Sequence, residues 1–248
     1  MKKFIILSIL LSTFSFSFSQ GLRANITYEA TLDNTDFHNR LMKDSTVTEY
    51  SRNSQLENIR STSPMNFVLY INGNEALYHA EFDLETQRSL GLGYNRTGEI
   101  AQDENTYYTN LQTKEYYFQN YFTKEVLVNT EKVDWRLTKE TKKIGEYTCY
   151  KATAIIDSEQ LYGMNFMSPV IAWYTPEIPT SFGIQIFNGL PGLTLELITD
   201  YQKGKVHYKA IEIDLNPEEY IIEKPTGERQ ISEKEYIAYI KKLNKNRF

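Results

Sequence analysis

The sequence predicts a mainly β protein of the α+β class, with a strongly curved antiparallel sheet or half-barrel and a C-terminal helix. The chain has 19 Tyr and 13 Phe among 248 residues, and aromatic residues are enriched in strands. Apolar and polar residues alternate in most segments, which is the pattern of a strand with one buried face. The clearest helical spacing, together with an N-cap signal, lies in the last segment.

Residues 1–19 have the features of an export signal, and residues 20–248 are expected to form a single β-rich domain. Lys2 and Lys3 supply a positive start, residues 4–11 an apolar centre, and Ser19 a small residue before the expected cleavage site. A membrane-spanning helix needs about 20 apolar residues, and no segment has them. We therefore expect an exported protein that is periplasmic, on the cell surface or secreted, with no transmembrane segment.

Charge and cysteine content exclude several classes of function. The net charge of −5 becomes −7 when Lys2 and Lys3 leave with the signal, which disfavours a nucleic-acid partner because phosphate binding needs clustered cations. Cys149 is the single cysteine of the chain. An internal disulfide is therefore excluded, and no cysteine follows the signal to carry a lipid.

The first third of the chain alternates between strand and connecting segments. Residues 22–31 are predicted to form a strand with Ile26, Tyr28 and Ala30 on one face. Residues 33–63 are polar and fit either a long loop or one or two short helices, with a lid over a cavity and a variable surface excursion as alternative roles. Residues 66–71 and 75–82 flank a turn at Gly73 and predict a hairpin. Residues 83–104 contain three glycines and predict a loop.

A dense aromatic tract follows, and it places rings on both faces of its strands. Tyr116, Phe118 and Phe122 are expected on one face, with Tyr117 and Tyr121 on the other. Such strands need two partners, of which one is the core and the other a ligand, another protein or a membrane headgroup region. The alternative is that these tyrosines cover half-exposed strands.

Further strands are predicted over residues 125–129, 133–139, 147–156, 170–175, 193–199 and 205–215. In the last of these the apolar parity changes after Ala210, which predicts either a β-bulge or a strand that crosses from one face to another. Pro191 and Gly192 predict a turn before the strand that begins at Leu193. In the final helix Ser232 and Glu235 form a capping box. Its apolar stripe is expected to cover an end or open face of the sheet and consists of Tyr236, Ile237, Ile240 and Leu243.

The stretch Gly189-Leu190-Pro191-Gly192-Leu193 resembles the signature of the GLPGLI family of exported proteins, with Thr194 where the family has isoleucine. The resemblance extends over residues 135–197. It includes Trp135-Arg136-Leu137, residues 143–152, residues 172–175 and Ile178-Pro179, in the family's order and spacing. The chain has Gly183-Ile184 where the family usually has Gly-Pro. The family has no assigned reaction, so the resemblance implies an exported location and no mechanism.

Sequence motifs for catalysis are absent, and we expect a non-enzymatic protein without catalytic residues, cofactor or metal. The chain contains no GxSxG, HExxH, CxxC or phosphate-loop motif. Cys149 is expected to be a small buried hydrophobe, because a catalytic thiol needs a histidine base nearby. A composite metal site from His38, His79, His207 and Glu81 has no support from ligand spacing.

Three functional hypotheses remain. The first is an envelope protein that binds an apolar small molecule or lipid in the curved sheet, similar in layout to the half-barrel of LolA-like lipoprotein carriers. Its ligand-binding residues would be Tyr116, Phe118, Phe122, Trp173 and Tyr174, although for Trp173 the residue type favours a core anchor. The second is a structural or interaction protein with a partner in an outer-membrane or surface complex. The third is a hydrolase with dispersed carboxylates, which requires two acidic groups facing each other in a cleft with perturbed pKa values.

Overall fold

The computed structural model describes residues 21–82, 84–89, 91, 93–156, 169–201, 204–218 and 221–245. The predicted export signal lies outside these residues. The described strands form one open, curved sheet of 12 strands in the order β12-β6-β5-β4-β3-β2-β1-β11-β10-β9-β8-β7. Neighbours are antiparallel except for the parallel pair of β12 and β6. The predicted fold class is confirmed.

Most strands agree with the alternation of the sequence, but β7 begins three residues and ends five residues later than predicted, and β12 was not predicted. Their bounds are β1 Arg23–Asp33, β2 Met65–Asn72, β3 Glu75–Ala80, β4 Asn105–Asn110, β5 Glu115–Asn120, β6 Val126–Asn129, β7 Arg136–Ile144, β8 Tyr147–Ala154, β9 Val170–Thr175, β10 Leu193–Tyr201, β11 Gly204–Asp214 and β12 Arg229–Ser232. The predicted bulge is confirmed, because Thr27 pairs with Glu212 and Tyr28 with Ala210, which leaves Ile211 as the extra residue.

The helices are α1 Thr35–Lys43, α2 Glu49–Arg60, α3 Leu84–Ser89, α4 Arg96–Ala101 and α5 Glu233–Lys245. Of the alternatives for residues 33–63, two short helices are therefore correct. The capping box of α5 is confirmed, because the Glu235 amide donates to Ser232 Oγ at 3.3 Å and the Ser232 amide to Glu235 Oε2 at 2.8 Å. In the described part of the chain, none of the helices has both the length and the apolar character required to cross a bilayer.

The prediction of a loop over residues 83–104 was wrong, because this segment contains α3 and α4. Both helices are only six residues long, too short for an apolar period to appear in the sequence. Asn95 caps α4 by accepting a hydrogen bond from the Thr97 amide at 3.0 Å. Gln102 ends it in the left-handed conformation, with φ of 59°. Tertiary burial of Ile100 and Ala101 then stabilises a helix that is too short to form alone.

One face of the sheet, which we call the inner face, packs into the main core. In β1 this face carries Ile26, Tyr28 and Ala30, which are fully buried as predicted. The same core contains α4, Tyr236 of α5 and the connection between β9 and β10. That connection contributes the buried residues Ile178, Phe182, Ile184, Ile186, Phe187 and Leu190. The inner face is therefore covered by the protein's own chain.

The signature stretch ends this connection and starts β10. Gly192 has a φ of 153°, and a Cβ at this position would overlap the carbonyl oxygen of Thr175. Glycine is thus required both for the dihedral angle and for the close approach of two backbones. Leu193, Leu195 and Leu197 are fully buried, which confirms the alternation predicted for β10.

The opposite, outer face of β3–β6 has a smaller core of its own, formed by Leu77, Tyr108, Tyr117 and Leu127. Residues 221–228 cross this face. The Tyr117 hydroxyl donates a hydrogen bond to the carbonyl of Pro225 at 3.2 Å, and the side-chain amide of Gln119 donates one to the carbonyl of Thr226 at 2.6 Å. The second partner of the aromatic strands is therefore this segment of the chain.

Candidate functional site

The five aromatic residues predicted to bind a ligand do not lie together. Phe118 is fully buried, with its ring centroid 5.6 Å from that of Tyr107 and 5.8 Å from that of Tyr236. Tyr174 is also buried, and Trp173 is half-buried with the Lys142 ammonium 4.4 Å from its ring centroid. The other two are the half-buried Tyr116 and the exposed Phe122.

Phe122 does not share a strand face with Tyr116 and Phe118, so that part of the strand prediction was wrong. β5 ends at Asn120, and residues Tyr121–Thr123 form a 3₁₀ turn. The Asn120 side chain accepts a hydrogen bond from the Phe122 amide at 2.9 Å, as an N-cap does. This turn directs Phe122 to the surface, where 64% of it is exposed.

Phe122 lines the larger of two adjoining cavities, of about 210 and 450 Å³, which share Leu84, Asp103 and Glu104 in their walls. We call the pair the acidic groove. The smaller cavity is also lined by His79, Ala80, Thr106, Gln119, Tyr121 and Lys124. The larger one is also lined by Gln87, Arg88, Gly93, Tyr94, Asn95, Glu99 and Phe122. The groove thus combines carboxylates, side-chain amides and aromatic rings.

Asp103 and Glu104 are placed by the turn that joins α4 to β4. The Asp103 amide donates to the carbonyl of Gly98 at 3.0 Å, and the Tyr121 amide donates to that of Glu104 at 2.8 Å. The Gln87 side chain, which extends from α3, donates to Asp103 Oδ2 at 3.4 Å. The two carboxyl groups therefore follow the C-terminus of a helix, where the helix dipole disfavours negative charge.

Burial and the repulsion between nearby carboxylates raise the pKa values of these carboxyl groups. Burial, followed by the nearby charges of Asp103 and Glu99, raises the pKa of Glu104 to about 7. Burial also raises the pKa of Asp103, opposed by hydrogen bonds from Gln87 and from the Glu104 carboxyl group. Glu104 is therefore the member of the pair that holds the proton near neutral pH.

Exposed aromatic rings surround the groove. Tyr94 and Phe122 are 56% and 64% exposed and line the larger cavity. Phe82, which is 44% exposed, lines an adjoining cavity of about 420 Å³ that shares Tyr94 with the groove. Beside them the Tyr121 ring has Lys124 Nζ at 4.5 Å and Arg88 Cζ at 5.9 Å from its centroid. Ligand-binding sites are concave and combine aromatic side chains with a small number of polar groups, and the groove has both.

Sequence reasoning did not identify Asp103 and Glu104, because two adjacent acidic residues in a predicted loop are most simply solvated. They are unusual because α3, β3 and the 3₁₀ turn partly bury them. No local sequence pattern indicates this burial. The feature that the hydrolase hypothesis required, two acidic groups together in a cleft with perturbed pKa values, is present at this position.

The remaining candidate residues lie elsewhere. Cys149 is buried as predicted, and burial raises the pKa of its thiol to about 11. His79 and His207 lie on β3 and β11, which β2 and β1 separate in the sheet, and His38 lies on α1. Among the described residues, no group of three or more His, Cys, Asp or Glu side chains is arranged to hold a metal ion.

A family model described as a protein of unknown function, Porph_ging, matches residues 135–168 and 161–196. The GLPGLI name corresponds to this family, so the resemblance predicted from the signature is confirmed. The groove residues, from His79 to Lys124, precede the matched segments and are not part of the family match.

Two solved structures of PNGF-II, in space groups C2 and P21, are similar to this chain at 13% and 14% sequence identity. Their TM-scores are 0.49 and 0.48, over 88% and 86% of this chain. The similar region is 33% and 31% of the PNGF-II chains, so this chain spans about a third of their length. No curated protein matches the sequence.

Proposed function

We propose that this protein is an exported, non-enzymatic envelope protein that binds a small ligand in the acidic groove. The observation that carries the proposal is the group of exposed rings, including Tyr94 and Phe122, at the edge of a concave surface with a polar interior. Export is supported by the basic and apolar segments of residues 1–19. It is tested by determining the N-terminus of protein secreted by a host with a two-membrane envelope.

The groove is a better candidate than the inner face of the sheet, where an apolar ligand or lipid was expected. The connection between β9 and β10 packs against the inner face, and Phe118 and Ile184 are both fully buried there. A lipid at that position would have to displace the chain's own core residues, which costs the burial free energy of each side chain. The groove is open to solvent and needs no such rearrangement.

Native mass spectrometry of the mature, exported protein tests this proposal. We expect a retained small-molecule adduct in the wild type that is lost on Phe122→Ser or Tyr94→Ser. Tyr50→Ser is the matched control, because Tyr50 is 87% exposed on α2 and lines neither cavity of the groove. An adduct that survives both groove substitutions would contradict this site. Capture of an envelope protein through the same rings would favour the alternative of an interaction protein.

The acidic pair favours a second candidate, a hydrolase in which Glu104 is the general acid. A carboxyl group with a pKa near 7 is protonated in part at neutral pH and can donate that proton to a leaving group. Incubation of the mature protein with an extract of envelope polymers, followed by mass analysis of products, tests this role. Product release that is abolished by Glu104→Gln would support the hydrolase and contradict the non-enzymatic proposal.

A further inference from the structure

We propose that Gln185 is a positioning residue of the acidic groove, and that it holds Asp103 and Glu104 in place through the C-terminus of α4. Gln185 belongs to the connection between β9 and β10, inside the segment that the family model matches. It is distant from the groove residues in sequence and lines neither cavity of the groove. The inference rests on the proposed function for the choice of site, and it adds a residue that acts on that site from the core.

The side-chain amide of Gln185 joins two elements of the core. Its Nε2 donates hydrogen bonds to the carbonyl of Ala101 at 2.7 Å and to the Tyr208 hydroxyl at 3.1 Å. Ala101 is the last residue of α4, and Tyr208 lies on β11. All three residues are buried. Both protons of the amide are used in these bonds, so the C-terminal end of α4 is attached to the sheet.

The Ala101 carbonyl needs a partner from outside its own helix. The last four carbonyls of a helix have no amide in a following turn to bind, and a buried carbonyl without a partner is unfavourable. The turn after α4 satisfies an earlier one, because the Asp103 amide donates to the carbonyl of Gly98 at 3.0 Å, as in a Schellman motif. The Ala101 carbonyl is bound by Gln185, which is 84 residues away in the sequence.

The backbone between this hydrogen bond and the two carboxyl groups has little freedom. Gln102 is in the left-handed conformation, and its side chain accepts a hydrogen bond from the buried Tyr107 hydroxyl. Two residues later, the Glu104 carbonyl accepts a hydrogen bond from the Tyr121 amide at 2.8 Å. A displacement of the Ala101 carbonyl would therefore be transmitted to the half-buried carboxyl groups that follow it.

The backbone of Gln185 is itself held in an uncommon conformation. Its φ is 54°, in the left-handed region that residues other than glycine seldom adopt. The Asn188 side chain stabilises this turn, because its Nδ2 donates to the Gln185 carbonyl at 3.3 Å and its Oδ1 accepts from the Gly183 amide at 2.8 Å. Backbone strain of this kind persists only where the surrounding structure enforces it, and it is common at functional sites.

The proton affinity of Glu104 reports whether Gln185 has this role. Gln185→Met keeps the length of the side chain and removes both donors. We expect the end of α4 to loosen, water to reach Glu104, and its pKa to fall from about 7 to about 6 or lower. A ¹³C NMR titration of the mature protein measures this pKa at the Glu104 carboxyl carbon, whose signal is assigned by its absence from Glu104→Gln.

Gln185→Met changes none of the charged groups around Glu104. Besides Asp103 and Glu99, the charged or titratable groups that face it are His79, Arg88, Lys124, Tyr107 and Tyr236. A fall in its pKa would therefore come from a change in the position or burial of Glu104. Tyr208→Phe is the matched control, because it removes the other hydrogen bond of the same amide and leaves the bond to Ala101. This control should keep the pKa of Glu104 at about 7.

An unchanged pKa of Glu104 in Gln185→Met would overturn the inference. An equal fall in Tyr208→Phe would also overturn it, because a general loosening of the core would then be the cause. If Gln185→Met does not fold, hydrogen exchange of the wild type decides. The Asp103 amide should exchange as slowly as the amides of β11, and exchange about a hundredfold faster would overturn the anchoring of α4.

The titration needs no ligand, so its outcome is separate from that of the proposed function. A fall in the pKa of Glu104 without a retained adduct in native mass spectrometry would support the role of Gln185 and contradict ligand binding in the groove. An adduct that is lost on Phe122→Ser, together with an unchanged pKa in Gln185→Met, would support groove binding and overturn the role of Gln185.

Discussion

Replacing Glu104 by glutamine should stabilise the protein by an amount that grows as the pH rises from about 4.5 to about 7 and is largest above pH 7. Glutamine has nearly the shape of the protonated glutamate, keeps a donor for Asp103 and never ionises. Burial raises the pKa of Glu104 from its ordinary 4.5 to about 7. A tenfold change in proton affinity is worth about 1.4 kcal/mol, so this difference corresponds to about 3 kcal/mol.

The direction of the effect follows from proton linkage. A carboxyl group whose pKa is higher in the folded than in the unfolded chain stabilises the fold while it is protonated. That contribution is fully present below about pH 4.5 and is lost as the pH rises through about 7. Wild type and Glu104→Gln should therefore have similar free energies of unfolding at pH 4.5. By pH 8 the variant should be more stable by up to about 3 kcal/mol.

Urea unfolding followed by tryptophan fluorescence, at several pH values from 4.5 to 8.5, measures this difference. Glu233, whose pKa is raised to about 8 mainly by burial, affects both proteins equally and cancels in the comparison. Glu57→Gln serves as the exposed control and should differ from wild type by less than about 0.5 kcal/mol at every pH. A difference between wild type and Glu104→Gln that does not change with pH would refute the assignment of a buried, protonated carboxyl group.

Two further pairs of substitutions test the fold. Gly192→Ala should cost at least about 3 kcal/mol, because an added Cβ would overlap the Thr175 carbonyl at a φ of 153°. Gly145→Ala, with a φ of 58° and open space around it, should cost about 1 kcal/mol, and equal losses in urea unfolding would contradict the close backbone approach. Phe118→Ala should cost about 3 to 5 kcal/mol through the core cavity that it creates. Phe122→Ala should change stability by less than about 0.5 kcal/mol, and a large loss would mean that Phe122 is a core residue.

Much of the fold could be predicted because its signals are local. The hairpin at Gly73, the bulge at Ile211 and the capping box at Ser232 each depend on residues within a few positions of one another. The helices α3 and α4 could not be predicted, because each is shorter than two turns, and α4 is stabilised by the burial of Ile100 and Ala101. The end of β5 at Asn120 was missed for a related reason, since its side chain caps a 3₁₀ turn where aromatic alternation continues in the sequence.

The candidate site was less accessible to sequence reasoning than the fold. Of the aromatic residues proposed as ligand contacts, Phe122 lies at the groove, and Phe118 lies in the core. Parity along a strand separates two faces, but it does not say what covers each face. The inner face is covered by the connection before Gly192 and the outer face by residues 221–228, and both come from distant parts of the chain.

The sequence by itself determined the β class, the main strands, the family signature and the absence of familiar catalytic motifs. These properties depend on composition and on short-range periodicity, which can be seen in the order of the residues without the folded structure. The tertiary structure alone decided that Asp103 and Glu104 are half-buried side by side in a cavity that exposed rings also line. Desolvation and repulsion depend on which distant side chains surround a carboxyl group, and α3, β3 and the turn at Tyr121 meet there only in the folded protein.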